Sequence, residues 1–449
     1  MHYKILYIVI ITSSIFSQSF FNRVVPNELY LDDAKSMAIA KSTLSSRNNT
    51  GHILSNPAIL SNNSDGVYID FNFGFKSISE RRSIIYKDEW DEALGETDYV
   101  FNQNNYFDNG FGITYTKSFG KFRFAGAAMQ KPFLSLNYNY EEEIRGDSNL
   151  DDGIIGINDP IVGYQNYSTS ATVDIRSIGF SFAFNSTHKR DFSLGIGFNS
   201  ISSTKLKDNI KKIVIDDSVD DLVNMPNINN LPVSNSYLID AKNNFHTFGI
   251  QIPVSDVFVL SLSYEEGAVL SSSSSTSSVG ISNIVGLPQL FGYVNQELSY
   301  LADDFMYRKP EKNNLGFIYS PKSNINMLIT FEAVNSFWEV SGPGLDNNIF
   351  EYKIGFEYSP YQSYPIRAGL VYSESPFSII EPASTLTLGT GKKIGRFEFD
   401  VAMNYSTIKY KYFDIFPLED IYSLSCEDIG CDNVTENKLS FLTTLKIGF

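Results

Sequence analysis

Residues 438–449 read KLSFLTTLKIGF. Leu439, Phe441, Thr443, Leu445, Ile447 and Phe449 fall on one face of an extended chain. Ser440, Thr444, Lys446 and Gly448 fall on the other, with Leu442 the exception. Side chains along a strand point alternately to opposite faces, so this is one apolar and one polar face. It is held over the ~9–11 residues that a tilted strand needs to cross a bilayer. In FEYKIGFEY (350–358), Phe350, Tyr352, Ile354, Phe356 and Tyr358 oppose Glu351, Lys353, Gly355 and Glu357. In DFSLGIGFN (191–199), Ser193, Gly195 and Gly197 oppose Phe192, Leu194, Ile196 and Phe198. Glycine there weakens a solvent-exposed strand but is tolerable where its face looks into a crowded interior.

Fourteen runs of this kind, bounded by Asn, Gly, Ser or Pro, can be marked. They are 67–77, 110–118, 121–140, 170–184, 190–202, 244–254, 256–265, 313–320, 323–333, 349–359, 364–373, 384–392, 396–407 and 438–449. One such strand could equally close a soluble sandwich; the connections discriminate. Every odd-numbered gap is long, between about 10 and 47 residues, and every even-numbered gap is short, between about 1 and 5. A membrane barrel has short periplasmic turns and longer extracellular loops, whereas a sandwich has no reason to gather its long connections at one end. The expected fold is all-β, a transmembrane antiparallel β-barrel of about 14 strands over 67–449, with both chain ends on the periplasmic side.

Composition agrees. The 449 residues include 35 Phe, 27 Tyr and 2 Trp, while only 19% are charged. The balance of 35 Lys+Arg to 51 Asp+Glu gives −16, the wrong sign for a nucleic-acid partner, which needs a basic footprint. Acid-rich stretches fall in the proposed outer loops: 79–98, 141–152 and the group Asp216, Asp217, Asp220 and Asp221. None has the ordered spacing of a calcium loop, so they read as solvated faces and no metal is assigned. The run Ser271–Ser278 reads as a polar, mobile loop. His52, His188 and His246 are scattered, and no HExxH, GxSxG, CxxC or phosphate-cradling loop occurs. No catalytic residue and no cofactor is expected, and the protein is not read as an enzyme.

The N-terminus, MHYKILYIVIITSSIFSQSF, has Lys4, an apolar stretch from Ile5 to Ile11, and small residues at Ser13, Ser14 and Ser17. This is the layout of a secretory signal peptide, assigned to 1–18. The apolar run is too short to span a membrane as a helix. Export makes a loop-closing disulfide between Cys426 and Cys431 plausible; a metal pair there lacks nearby partner ligands. Residues 19–66 then precede the first strand. They read as short helical or irregular pieces, with Leu31, Ala34, Ala38 and Leu44 at amphipathic spacing, and could form either a plug in the lumen or a periplasmic tail.

Asn56-Pro57-Ala58, followed by Ile59-Leu60 and then by the first amphipathic strand, resembles the NPA element of the long-chain fatty acid outer-membrane transporter superfamily. The outer-membrane shuttle protein of type IX secretion is a relative there. The resemblance implies a fourteen-strand barrel plugged by a small N-terminal hatch, here 19–66. The family's upstream stretch is Gly/Ala-rich; this chain has Ala34, Ala38 and Ala40 but lacks the glycines. Family members are described as passing ligand through a gap in the wall at a kink in the third strand. The third run here contains Lys131-Pro132, and proline lacks the N–H that a ladder needs, so Pro132 is the candidate wall kink. The terminal Phe449 resembles the signal read by the barrel assembly machinery. The implied function is passive transport of a hydrophobic or amphipathic, fatty-acid-like small molecule across the cell outer membrane, with outer-membrane lipid as surroundings. The alternative is a component or shuttle of a protein secretion or surface-attachment system, whose acidic outer loops would dock exported proteins.

Overall fold

The computed structural model describes residues 29, 32–44, 46–87, 93–145, 161–185, 191–204, 206–214, 233–239, 242–277, 306–321, 326–338, 348–360, 364–377, 380–412 and 432–449. The first elements are helix α1 (Ala34–Ala38), helix α2 (His52–Ser55) and a 3-10 turn (Pro57–Asn62). Strands follow as β1 (Gly66–Lys87), β2 (Ala93–Phe119), β3 (Phe122–Ser135), β4 (Tyr138–Arg145), β5 (Ile161–Ser170), β6 (Thr172–Asn185) and β7 (Asp191–Ser203). Next are β8 (Leu206–Val214), β9 (Val233–Ile239), β10 (Lys242–Pro253), β11 (Phe258–Glu265), β12 (Ala268–Ser277), β13 (Met306–Lys309) and β14 (Glu311–Tyr319). The last are β15 (Met327–Phe337), β16 (Asn348–Tyr358), β17 (Ile366–Ser373), β18 (Ala383–Ile394), β19 (Phe397–Tyr412) and β20 (Asp432–Gly448).

Fourteen strands close one antiparallel barrel in the order β1-β2-β3-β6-β7-β10-β11-β14-β15-β16-β17-β18-β19-β20. β20 returns to β1 in a register running from Tyr68↔Gly448 to Ser83↔Asn433. Each of the fourteen runs marked in the sequence overlaps a different one of these strands. Outward positions are apolar: Phe73, Phe107, Phe124, Phe180, Leu388 and Phe399 stand exposed, which is stable only against hydrocarbon. Two of the tight turns require a left-handed residue and have glycine there, Gly120 at φ 60° and Gly395 at φ 59°.

Where the structure differs from the periodicity, it does so above the wall. The run 121–140 is two strands, because β3 ends at Ser135 and β4 belongs to another sheet. The first long gap is no loop: β1 and β2 continue as a paired hairpin to Lys87↔Ala93, so most of the acidic stretch 79–98 is strand. Six further strands form a sheet in the order β13-β12-β9-β8-β5-β4. That order repeats the order of the wall strands they adjoin, so this sheet continues one side of the barrel outward. Ser271–Ser277 lie in β12, paired with β13 and β9, rather than in a mobile loop. β20 also explains its exception: Leu442 is 1% exposed and packs inside with Ala34, Met37, Ala38 and Ala402.

Candidate functional site

The described part of the segment 32–63 packs against inward-facing side chains of the barrel strands. It has little regular structure of its own, so its backbone polar groups bond to inward-facing wall side chains, as buried amides require. Ala34 N donates to Thr444 Oγ1 (2.8 Å), Ala40 N to Thr387 Oγ1 (3.0 Å), and Thr387 Oγ1 to Ala38 O (3.0 Å). Thr50 N and Oγ1 donate to Asp70 at 3.3 and 3.1 Å. Asn56 caps the 3-10 turn: its Oδ1 accepts from Ala58 N (3.0 Å), while its Nδ2 donates to Ser261 Oγ (2.8 Å) and Leu262 O (3.1 Å). Ser181 Oγ donates to Ala58 O at 2.9 Å. Pro57 and Ala58 are buried beside β7, where a methyl group on Gly195 would overlap the Pro57 carbonyl carbon and Ala58 N.

The glycines absent from the stretch 34–44 have a counterpart in the wall. Ala40 and Lys41 take φ of 64° and 56°, a region costing roughly 1–2 kcal/mol for a residue with a Cβ. A Cβ on Gly369 would overlap Ala40, so a wall glycine supplies the room that a glycine in the segment would otherwise give.

Charge fixes the start of the segment. Asp33 caps α1, accepting from Ser36 N at 2.8 Å, and it pairs with the lumen-facing Lys446 and with Ser46. Lys446 also donates to Arg47 O at 2.8 Å. Burial alone would raise the Asp33 carboxyl, but the Lys446 ammonium and the Ser46 and Ser36 hydroxyls hold it far below the carboxylate range. Burial pushes Asp32 up to about 7, reinforced by Asp33. Burial likewise lowers His52 to about 4; its Nε2 lies 2.9 Å from Ser46 O. His246, in contrast, sits on β10 at 2.7 Å from Glu266.

The wall has one interrupted ladder next to Pro132. β2 and β3 pair from Phe119↔Phe122 to Phe111↔Gln130 and then part. β2 stays bonded to β1, and β3 to β6 as far as Ser135↔Thr172, with a register shift between Pro132 and Leu134. Pro132 has no N–H to give, and the Phe133 carbonyl instead accepts Leu29 N at 2.8 Å. The gap is a cavity of about 360 Å³ between Tyr106–Gly110 and Lys131–Pro132, with Leu29 in its lining. Above it, β4 meets β2 through side chains, with Asn104 Nδ2 donating to Asn139 O and Glu141 N to Asn102 Oδ1, both at 3.4 Å. Lys131 lies 3.4 Å from Asp70, the carboxylate that also receives Thr50, so the edge of the gap is tied to the inner segment.

A second cavity, of about 390 Å³, lies over the inner segment. It extends from Trp338, Glu374 and Pro376 at the outer ends of β15 and β17 to Leu54 and Ser55, and sideways to Leu29 and Phe133. Beside it an apolar cluster lines the inner face of β3, β6, β7 and β10 and includes Ile53, Leu54, Leu60, Phe133, Val173 and Phe245. An apolar surface thus runs from the segment to the gap.

Asn56, Pro57 and Ala58 therefore lie against β7, β10 and β11, and Pro132 lies at the gap. Phe449 is exposed beyond β20, its N donating to Val67 O at 2.9 Å. Cys426, Cys431, His188, Asp216–Asp221 and the signal segment 1–18 lie outside the described residues. The sequence reading missed the inward partners Asp70, Thr387, Thr444, Ser261 and Glu332, the last of which accepts from Ser42 Oγ. Their signal was a polar residue on the face opposite the apolar row.

No protein-family model matches the sequence, and no curated protein matches it. Solved structures do. The chain is similar to a Pseudomonas aeruginosa FadL homologue, with a TM-score of 0.59 at 12% identity, over 94% of this chain and 100% of that one. This is the FadL fold. The Pseudomonas putida toluene transporter TodX matches with a TM-score of 0.53 at 13% identity over 97% and 100% of the two chains. The Ralstonia pickettii toluene transporter TbuX matches with a TM-score of 0.52 at 14% identity over 93% and 98%. A barrel of the FadL fold with an apolar outer belt is an outer-membrane protein.

Proposed function

We propose that the protein carries hydrophobic or amphipathic small molecules passively across the outer membrane. Cargo enters the cavity at the outer ends of β15 and β17, crosses the apolar surface above the inner segment, and leaves sideways through the gap between β2 and β3. Residues 19–66 act as a hatch that keeps water-soluble solutes out, and 67–449 form the wall after removal of 1–18. No chemical step is involved, and the concentration gradient drives the flow. Phe449 serves as the mark read by the assembly machinery. The similar structures that are described as toluene transporters support this reading, but the observation that carries it is the ladder that ends at Phe111↔Gln130 while both strands continue.

The test is a staple. Asn109 and Pro132 would be the second pair beyond Phe111↔Gln130 if the ladder continued. Asn109→Cys with Pro132→Cys, in a background with Cys426→Ser and Cys431→Ser, should abolish saturable uptake of a hydrophobic probe when oxidised and restore it when reduced. Unchanged uptake with the staple shown to be closed would refute the lateral route.

A further inference from the structure

The cavity over the inner segment has an apolar side and a charged remainder. Leu29, Leu54 and Phe133 form the side next to the gap. The rest of the lining includes five carboxylates, those of Asp32, Glu265, Glu332, Glu351 and Glu374, and three ammonium groups, those of Lys41, Lys312 and Lys353. Most of the acids are already engaged. Glu351 is 2.9 Å from Lys353, and Glu265 is 2.6 Å from Lys309. Glu332 accepts from Ser42 Oγ at 2.5 Å and Asn314 Nδ2 at 3.1 Å, and Glu374 accepts Phe350 N at 2.9 Å.

Three of the atoms left over are able to accept a hydrogen bond. Asp32 Oδ1, Asn314 Oδ1 and Thr43 Oγ1, on three lining residues, are buried with no hydrogen-bond partner among the described residues. Thr43 is 3% exposed. An amide oxygen and an ionised carboxylate oxygen can only accept, a hydroxyl can do either, and a cation beside Asp32 favours its ionised form against the burial that raises it. A fatty-acid anion would bring further acceptors and a like charge into this lining. A plain hydrocarbon would desolvate the charged groups and give nothing back. An ammonium head brings three donors and a compensating charge.

Resting on the transport reading above, we propose that this cavity selects amphiphiles with an apolar chain and a cationic, hydrogen-bond-donating head. The head lies toward Asp32, and the chain runs along Leu29, Leu54 and Phe133 toward the gap.

The full-length protein in zwitterionic lipid nanodiscs carries its own reporter, because Trp338 lines the cavity and the chain has 2 Trp. With Trp90→Phe in place, dodecylamine, dodecanoate and dodecanol are titrated against Trp338 fluorescence, with empty nanodiscs correcting for partition into lipid. Dodecylamine should saturate the signal at a concentration about ten-fold lower than either other ligand. Asp32→Asn should remove most of that preference, so that dodecylamine and dodecanol saturate at similar concentrations. Asp32→Ser, which also removes the charge, should do the same if Asn disturbs the local fold. Equal or tighter binding of dodecanoate or dodecanol would overturn the proposal while leaving the transport reading intact. So would an undiminished amine preference in both variants. Saturation by none of the three would overturn the transport reading as well.

Discussion

Strand β20 meets β1 by an unbroken ladder from Tyr68↔Gly448 to Ser83↔Asn433, whereas the segment 32–63 inside them has helices of only five and four residues. The ladder satisfies wall backbone with wall backbone, which is the condition for standing in hydrocarbon. The inner segment satisfies backbone groups with side chains 123 to 410 positions away in sequence, such as Ser181, Thr387 and Thr444. Apart from the β2–β3 gap, where Phe133 O accepts Leu29 N, the wall is thus satisfied within itself and the segment is not. Damage to the segment's anchors should loosen it and leave the wall folded.

The largest effect is expected from Asp33→Asn, which leaves Lys446 buried without its anion. Removing one partner of a buried pair costs about 3–5 kcal/mol. Hydrogen exchange at 33–62 should accelerate while β1 and β20 stay protected, and adding Lys446→Met should recover most of the loss. Equal acceleration in the wall would break the distinction. Gly195→Val comes next, because it places a side chain where Pro57 and Ala58 stand. Overpacking of this kind costs about 1–3 kcal/mol, so limited proteolysis should cut the segment sooner with no change in the heat-modified mobility of the barrel. Asn56→Ala removes the cap on Ala58 N and should weaken docking by about 1 kcal/mol on the same exchange assay.

Proton linkage gives the most discriminating effect, and a small net one in the unsubstituted protein because two groups oppose each other. Asp32 is raised to about 7, so the docked state binds more protons than the released one. Its contribution is complete below about pH 4 and is lost as pH rises towards 7. His52 is lowered to about 4, so below about 6.5 the released state binds more protons, and docking weakens as pH falls towards 4. The two oppose each other between about pH 4 and 6.5. Exchange at pH 7 and pH 5 should therefore show His52→Gln docking more tightly on acidification and Asp32→Asn docking less tightly. Shifts of the same sign in both variants would contradict these assignments.

The same contrast explains what was legible in the sequence. Wall strands announce themselves because one face meets lipid and the other the lumen, and that forces alternation. The outer strands form a sheet separate from the closed barrel, so Ser271–Ser277 could pair into β12 with no apolar row to mark it. Within the wall, departures from the pattern carried information about the interior. Leu442 marked a contact with α1, Gly195 a contact with Pro57, and Pro132 the end of the β2–β3 ladder. Which Thr, Asp or Ser received which amide was not legible. Those pairings depend on barrel closure, which brings Asp33 to Lys446 across 413 positions.

The central claim is that the inner segment closes a wall able to stand without it. Liposome swelling with a purified variant lacking residues 19–60 tests this directly. The variant should insert as a heat-modifiable barrel, pass small hydrophilic solutes faster than the complete protein, and lose saturable uptake of hydrophobic cargo. A folded barrel with unchanged solute flux would contradict the account, and so would a wall that fails to form without the segment.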